Sequence, residues 1–245
     1  MKKNLKQIAL EQKKIDEFDH KHFREDQLND LIALTNQMKI KDSQYVVDIG
    51  GGVGYFAQIL NEIKGYSVRV IDSNRPSIDR VNQLNNKSIE GRVGDALNPE
   101  ISGDESIICF NMILHHLVGG SENHTKMLQK QALLAWKESP VPIFVNEYIY
   151  ESFIKNLSGY LIYKITSNKI LSFIGAIISK IIPSLRANTF GVGVRFRSHE
   201  EWVNLFQECG LKVSSIAYGK PEYISPPLRL LCIREIRRDS FLLVK

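Results

Sequence analysis

The stretch VVDIGGGVGYFAQIL, residues 46–60, places Gly50, Gly51, Gly52 and Gly54 within five positions, directly after an apolar run. The run from Tyr45 reads as a short strand buried on both faces. Residues 55–65, YFAQILNEIKG, read as a helix stopped by Gly65. Such a turn lies at the carboxyl end of a strand, where an open α/β sheet binds its ligand, and glycine lets a ligand approach the main chain. A phosphate-binding P-loop would need Gly-Lys-Ser/Thr at its end, and Val53-Gly54-Tyr55 has no lysine. A dinucleotide site asks for G-x-G-x-x-G, whereas Gly50, Gly52 and Gly54 run G-x-G-x-G. A plain strand-to-helix turn rarely needs this many glycines.

Outward from the loop, strand and helix patterns alternate. Residues 67–74 (SVRVIDSN) form a second strand and 75–86 a second helix. A weaker third strand lies in 88–97, a fourth in 105–117 (ESIICFNMILHHL), a helix in 126–139 and a fifth strand in 140–150 (PVPIFVNEYIY). This alternation predicts an open, mostly parallel sheet with helices on both faces. Before it, residues 1–44 read as a helical cap, with apolar positions at Ile8, Ile15, Phe18, Leu28, Leu31, Ile32 and Leu34. After it, residues 151–197 form an insertion. Residues 198–245 supply a last helix with a capping box at Ser198 and Glu201, a sixth strand at 212–219 and a short closing strand at 240–245. We expect one domain in four parts: 1–44, the ligand-binding half 45–150, the insertion 151–197, and 198–245.

The composition of the 245 residues is that of a globular protein, with 43% hydrophobic and 24% charged residues. A net charge of +5 without a recognition motif argues against nucleic-acid binding. Cys109, Cys209 and Cys232 lie far apart, with no zinc-ligand spacing, so we expect no metal and a reducing cytoplasm. The amino terminus lacks the apolar core of a signal peptide, and no apolar run reaches the roughly 18 residues of a membrane span.

Two acids sharpen the ligand. Asp72 ends the second strand, where a carboxylate accepts from both hydroxyls of a ribose. Asp95, which ends the third strand, can accept from an adenine amino group. Asp48, just before the loop, can orient it or hold an ammonium group. A ligand with an adenine, a ribose and an amino-acid tail fits all three.

Taken in order, DIGGGVG, VRVID, GDAL, FNMILHHL and the glutamate ending the fifth strand resemble class I S-adenosylmethionine-dependent methyltransferases of the small-molecule type. The resemblance is strong over residues 45–150 and extends to SHEEWVNLFQECGLKV and the closing FLLVK. It implies a Rossmann-like seven-stranded sheet in the order 3-2-1-4-5-7-6 with an antiparallel last strand. It implies S-adenosyl-L-methionine as cofactor, held by Asp48, Gly50, Gly51, Gly52, Gly54, Asp72, Ser73, Asp95, Ala96, Asn111 and Met112. With the histidine pair and the apolar insertion described below, it leads us to expect a small, partly apolar acceptor methylated at oxygen, in a setting such as secondary-metabolite biosynthesis. The D/N-P-P-Y/F motif of base and glutamine methyltransferases is missing at FNMILHH. A lipid or quinone-precursor acceptor at a membrane, N- or C-transfer, and a catalytically silent cofactor-binding protein stay open as alternatives.

His115 and His116 follow the fourth strand, beside the expected methyl position, and are candidate general bases, His116 slightly ahead. His20, His22 and Arg24 read as structural or cofactor-shielding, and His124 and His199 as surface residues at helix starts. Arg195 and Arg197, which share one side of an extended segment, and Tyr148 are candidate substrate ligands. In the insertion, residues 168–185 put Ile170, Ile174, Ile177, Ile178 and Ile181 on one helical face and Ser172, Gly175 and Ser179 on another. Three roles are open for the 170–182 helix: a lid over an apolar pocket, a homodimer surface, or peripheral membrane contact.

Overall fold

A computed structural model describes residues 21–245, except 39, 42, 186 and 188. The Ile8, Ile15 and Phe18 pattern and His20 fall outside the described residues, as do the side chains of His22 and Arg24. The strands are β1 (Tyr45–Ile49), β2 (Ser67–Asp72), β3 (Ile89–Val93), β4 (Glu105–Asn111), β5 (Ile143–Ser152), β6 (Lys212–Ala217) and β7 (Ile233–Val244). The helices are α1 (Lys21–Leu34), α2 (Tyr55–Lys64), α3 (Arg75–Gln83), α4 (Glu122–Leu134), α5 (Leu157–Ser167), α6 (Lys169–Ile181), α7 (His199–Glu208) and the short α8 (Pro226–Arg229).

The sheet order is β3-β2-β1-β4-β5-β7-β6, as the sequence led us to expect. β1 to β5 pair parallel, and β7 runs antiparallel between β5 and β6. Alternating side chains feed two cores, one on each face. Val47, Ile49, Ile108 and Phe110 pack under α4 and α7, against Leu128, Leu133, Trp202 and Phe206. Val46, Val68, Val70 and Ile107 pack on the other face, against Leu28 and Leu31 of α1, Phe56 and Leu60 of α2, and Ile78 and Val81 of α3.

Local chemistry ends the elements where the site needs them. Gly65 stops α2 in the left-handed conformation with φ 70°, and its N–H bonds the Asn61 carbonyl. Asn74 caps α3 by accepting from the Ser77 N–H. Ser198 and Glu201 form the expected capping box on α7.

Several boundaries differ from the sequence expectation: the helix expected at 126–139 is α4, Glu122–Leu134, and two further differences reshape the site and the sheet. The fourth strand stops at Asn111. Met112 then takes φ 56°, and Leu114–His116 form a 3-10 turn. The last strand is twelve residues long, beginning at Ile233 rather than 240, and pairs with β5 as far as Ser152. Its charged first half disguised it. Those charges are matched locally: the Arg237 Nε donates to Asp239 at 2.9 Å and the Arg238 Nε to Glu222 at 3.2 Å.

Candidate functional site

The glycine loop, Asp72, Asp95, Asn111 and the histidine turn all follow the carboxyl ends of β1 to β4, along one edge of the sheet. Backbone conformation explains the loop's composition. Gly50 has φ 70°, and a Cβ there would lie 2.6 Å from the Ile113 side chain. A Cβ on Gly51 would lie 2.3 Å from the Asp48 carboxylate. Either side chain would push the loop off β4 or displace Asp48.

Asp72 holds the loop to β2. It accepts from the Gly52 N–H at 3.0 Å and from the Asn74 N–H at 2.8 Å. Burial raises its pKa above the ordinary carboxylate value, while these two bonds pull it down. Ser73 beside it is exposed. Asp95 is exposed and accepts from the Leu97 N–H at 2.9 Å, and Ala96 packs against the core.

Asp48 is the most perturbed acid of the loop. It is 1% exposed, and its Oδ1 accepts from Asn111 Nδ2 at 2.9 Å. Its Oδ2 and the Asn111 Oδ1 are buried without a partner. Burial lifts its pKa to about 7, against the lowering effect of Asn111. An ionised Asp48 therefore costs the fold stability. The folded state holds a proton that the unfolded state releases, so this cost grows as pH rises from about 4 to about 7 and is constant above. Asp48→Asn removes it. We expect its stability gain over wild type, read by urea unfolding, to grow by about 2 kcal/mol between pH 5 and pH 7.5. A gain independent of pH would contradict the buried ionisation.

The histidines sit over the fifth-strand glutamate of the family resemblance, to which the sequence assigned no chemical role. Glu147 in β5 is fully buried. Its Oε1 accepts from the Leu114 N–H at 2.7 Å, and its Oε2 lies 2.5 Å from His115 Nδ1. The ring of His116 lies 4.1 Å from that of His115. Burial, and then the neighbouring His115, hold the His116 pKa well below the ordinary imidazole value, and its Nδ1 has no partner. An aromatic wall continues from His115: Phe196 at 5.0 Å, Tyr148 at 6.2 Å, and Tyr150 stacked on Phe196 at 4.2 Å. Burial pushes the Tyr148 hydroxyl up to about 12, so it stays protonated at neutral pH.

Arg195 and Arg197 lie elsewhere than expected. They do share one side of their segment, but that side faces inward. Both are buried, at 2% and 3% exposure. Arg195 Nε donates to Glu122 at 2.9 Å and its Nη2 to Glu201 at 2.7 Å. Arg197 Nη1 donates to Glu122 at 3.1 Å and its Nε to Gln129 at 2.7 Å. Gln129 in turn donates to the Leu114 carbonyl at 3.0 Å. The arginines brace the histidine turn from behind, and Phe196 between them takes the place beside His115. His199 also lies deeper than a surface residue, with Nδ1 2.7 Å from the buried Asp239.

No protein-family model matches the sequence, and no curated protein sequence is significantly similar to it. Solved structures do match in shape. An Aquifex aeolicus SAM-dependent methyltransferase superposes with a TM-score of 0.54 at 13% identity, covering 97% of this chain and 100% of that one. The chain has the class I methyltransferase fold. MccD shares this methyltransferase fold at a TM-score of 0.58 and 11% identity, over 90% of this chain and 95% of that one. LepI, in complex with SAH and a substrate analogue, shares it at 0.54 and 14% identity, over 87% of this chain and 46% of that one.

Proposed function

We propose that the chain is an S-adenosylmethionine-dependent methyltransferase acting on a small, partly apolar acceptor, with oxygen as the methylated atom. One observation carries the cofactor assignment: two unpartnered buried oxygens, Asp48 Oδ2 and Asn111 Oδ1, beside a glycine loop that Asp72 holds to β2. These acceptors suit an ammonium group, and Asp72 and Asp95 suit a ribose and an adenine. The group would supply a methyl on a positively charged sulfur, which needs little further activation. Met112, in a left-handed conformation rare for its residue type, would line the floor beneath that methyl.

The chain's own work is then to orient an acceptor and take its proton. The aromatic wall of Tyr148, Tyr150 and Phe196 favours a planar or apolar acceptor. Glu147 favours His115 over His116 as base. A carboxylate bonded to Nδ1 fixes the ring and stabilises the imidazolium formed when an acceptor hydroxyl gives its proton to Nε2. Held by Asp48, Asn111, Asp72 and Asp95, the cofactor would supply its methyl to the acceptor oxygen and keep the carbon–sulfur electron pair on its sulfur. His116, kept neutral, flanks this ring without adding charge.

Calorimetric titration of the full chain with S-adenosylmethionine, S-adenosylhomocysteine and NAD tests the assignment. We expect binding of the first two and none of NAD. Binding of NAD alone would overturn it. Cofactor binding with no transfer to any acceptor would favour a protein that acts by interaction instead.

A further inference from the structure

Helix α6 is turned inside out. Its small polar face points into the protein: Ser172 Oγ donates to the Ile165 carbonyl at 2.7 Å and accepts from the Gly191 N–H at 2.9 Å, and Gly175 packs against the Phe190 ring. Its apolar face points out. Ile170, Phe173 and Ile181 are 71%, 68% and 78% exposed, and Ile174, Ile177 and Ile178 complete the stripe. Phe153 and Ile154, exposed at the end of β5, and Leu230 add to the apolar surface. The Phe153 N–H bonds the Cys232 carbonyl, and Leu230 ends α8, which touches the turn Pro183–Leu185 that follows α6. An apolar face this large is costly in water unless something covers it.

Charge says what covers it. Between residues 153 and 199 the sequence contains no Asp or Glu. Lys155, Lys164, Lys169 and Lys180 are all exposed around the helix pair. A second copy seated on this face by two-fold symmetry would bring lysine rims together with no acid in residues 153–199 of either copy to pair them. An anionic lipid surface offers both hydrocarbon for the isoleucines and phosphate for the lysines. No single helix among the described residues is long and apolar enough to cross a membrane; α5 and α6 together have the length and apolarity of a broken span but meet at 97°, and the inward bonds of Ser172 hold α6 flat against the fold. We propose that α6 docks the protein onto an anionic membrane, its apolar face sunk to the level of the acyl chains. The docking does not depend on the methyl-transfer reading. It would hold α5 at the membrane too, and Tyr163 of α5 donates to the Gly119 carbonyl just beyond the histidine turn.

The test is co-sedimentation of the full chain with vesicles of phosphatidylcholine, alone or with about 30% phosphatidylglycerol. We expect binding to the anionic vesicles, weakened by salt, and little to the neutral ones. The double variant Phe173→Gln with Ile177→Gln should lower the partition coefficient about tenfold or more. Lys169→Gln with Lys180→Gln should weaken binding to anionic vesicles selectively. Both pairs are exposed, and unchanged thermal unfolding confirms that the variants fold. No vesicle binding, or binding indifferent to Phe173 and Ile177, overturns the proposal. So does a dimer in sedimentation velocity that the apolar variant dissolves, which would give the face to a second copy. Cofactor titration on the same preparation separates either failure from failure of the methyltransferase reading.

Discussion

Replacing Asp72 by alanine is expected to weaken S-adenosylmethionine binding by about 10²–10⁴-fold. Two hydrogen bonds from ribose hydroxyls to a charged acceptor contribute about 1.5–3 kcal/mol each, and every 1.4 kcal/mol is a factor of ten. Asp72 also anchors the loop through the Gly52 and Asn74 N–H groups, so alanine removes a ligand and a prop together. Asp72→Asn keeps only part of the prop, because one amide oxygen replaces the two carboxylate oxygens that separately hold Gly52 and Asn74. Its amide oxygen can still accept from the backbone, but it brings neither the charge nor the second acceptor. Calorimetry should place its affinity between wild type and Asp72→Ala. The fold should survive both changes, because Asp72 sits at a strand end and burial already penalises its ionised form. Unchanged affinity in Asp72→Ala would remove the ribose from this position and with it the reading of the whole edge.

The sequence made this edge legible because each part of it has its own local signature. Four glycines after an apolar run have few readings, and an acid at the end of an apolar strand stands out. The opposite held where charges are satisfied inside the fold. The first half of β7 looks like a solvated connection, yet its arginines pair with Asp239 in the same strand, Glu151 in β5 and Glu222 in the preceding connection. Arg195 and Arg197 looked like ligands because alternation gives the side they share but not which side is inside. Glu122 and Glu201, far apart in sequence from one another, decide that. Glu147 carried a signal that could have been used: a lone carboxylate within the apolar strand FVNEYIY is costly to bury without a partner. Helix α6 shows the remaining ambiguity. Hydrophobic periodicity finds its apolar face but does not say which face packs inward, and Ser172 and Gly175, which allow closer approach, put the small face inside.

The largest effect on rate should come from His115. His115→Ala is expected to lower kcat by about 10²–10⁴-fold, the range of a positioned general base, with cofactor affinity intact. Glu147 acts through His115 and is a positioning residue. Glu147→Gln keeps an oxygen for the Leu114 N–H but loses the charge that stabilises an imidazolium, and should cost about 10²-fold in kcat. A purely structural glutamate would behave differently. Its loss would move the thermal midpoint and leave the rate per folded molecule alone. A positioning glutamate should instead show kcat falling per folded molecule while KM for the acceptor stays, whether or not the midpoint moves with the altered bonds to Leu114 and His115. His116→Ala should have the smaller effect, because its ring is held neutral by burial and lacks a carboxylate partner. A large loss in His116→Ala beside full activity in His115→Ala would exchange the two roles. Full activity in both would mean that the acceptor arrives already deprotonated, or loses its proton to water, and that the turn serves shape alone.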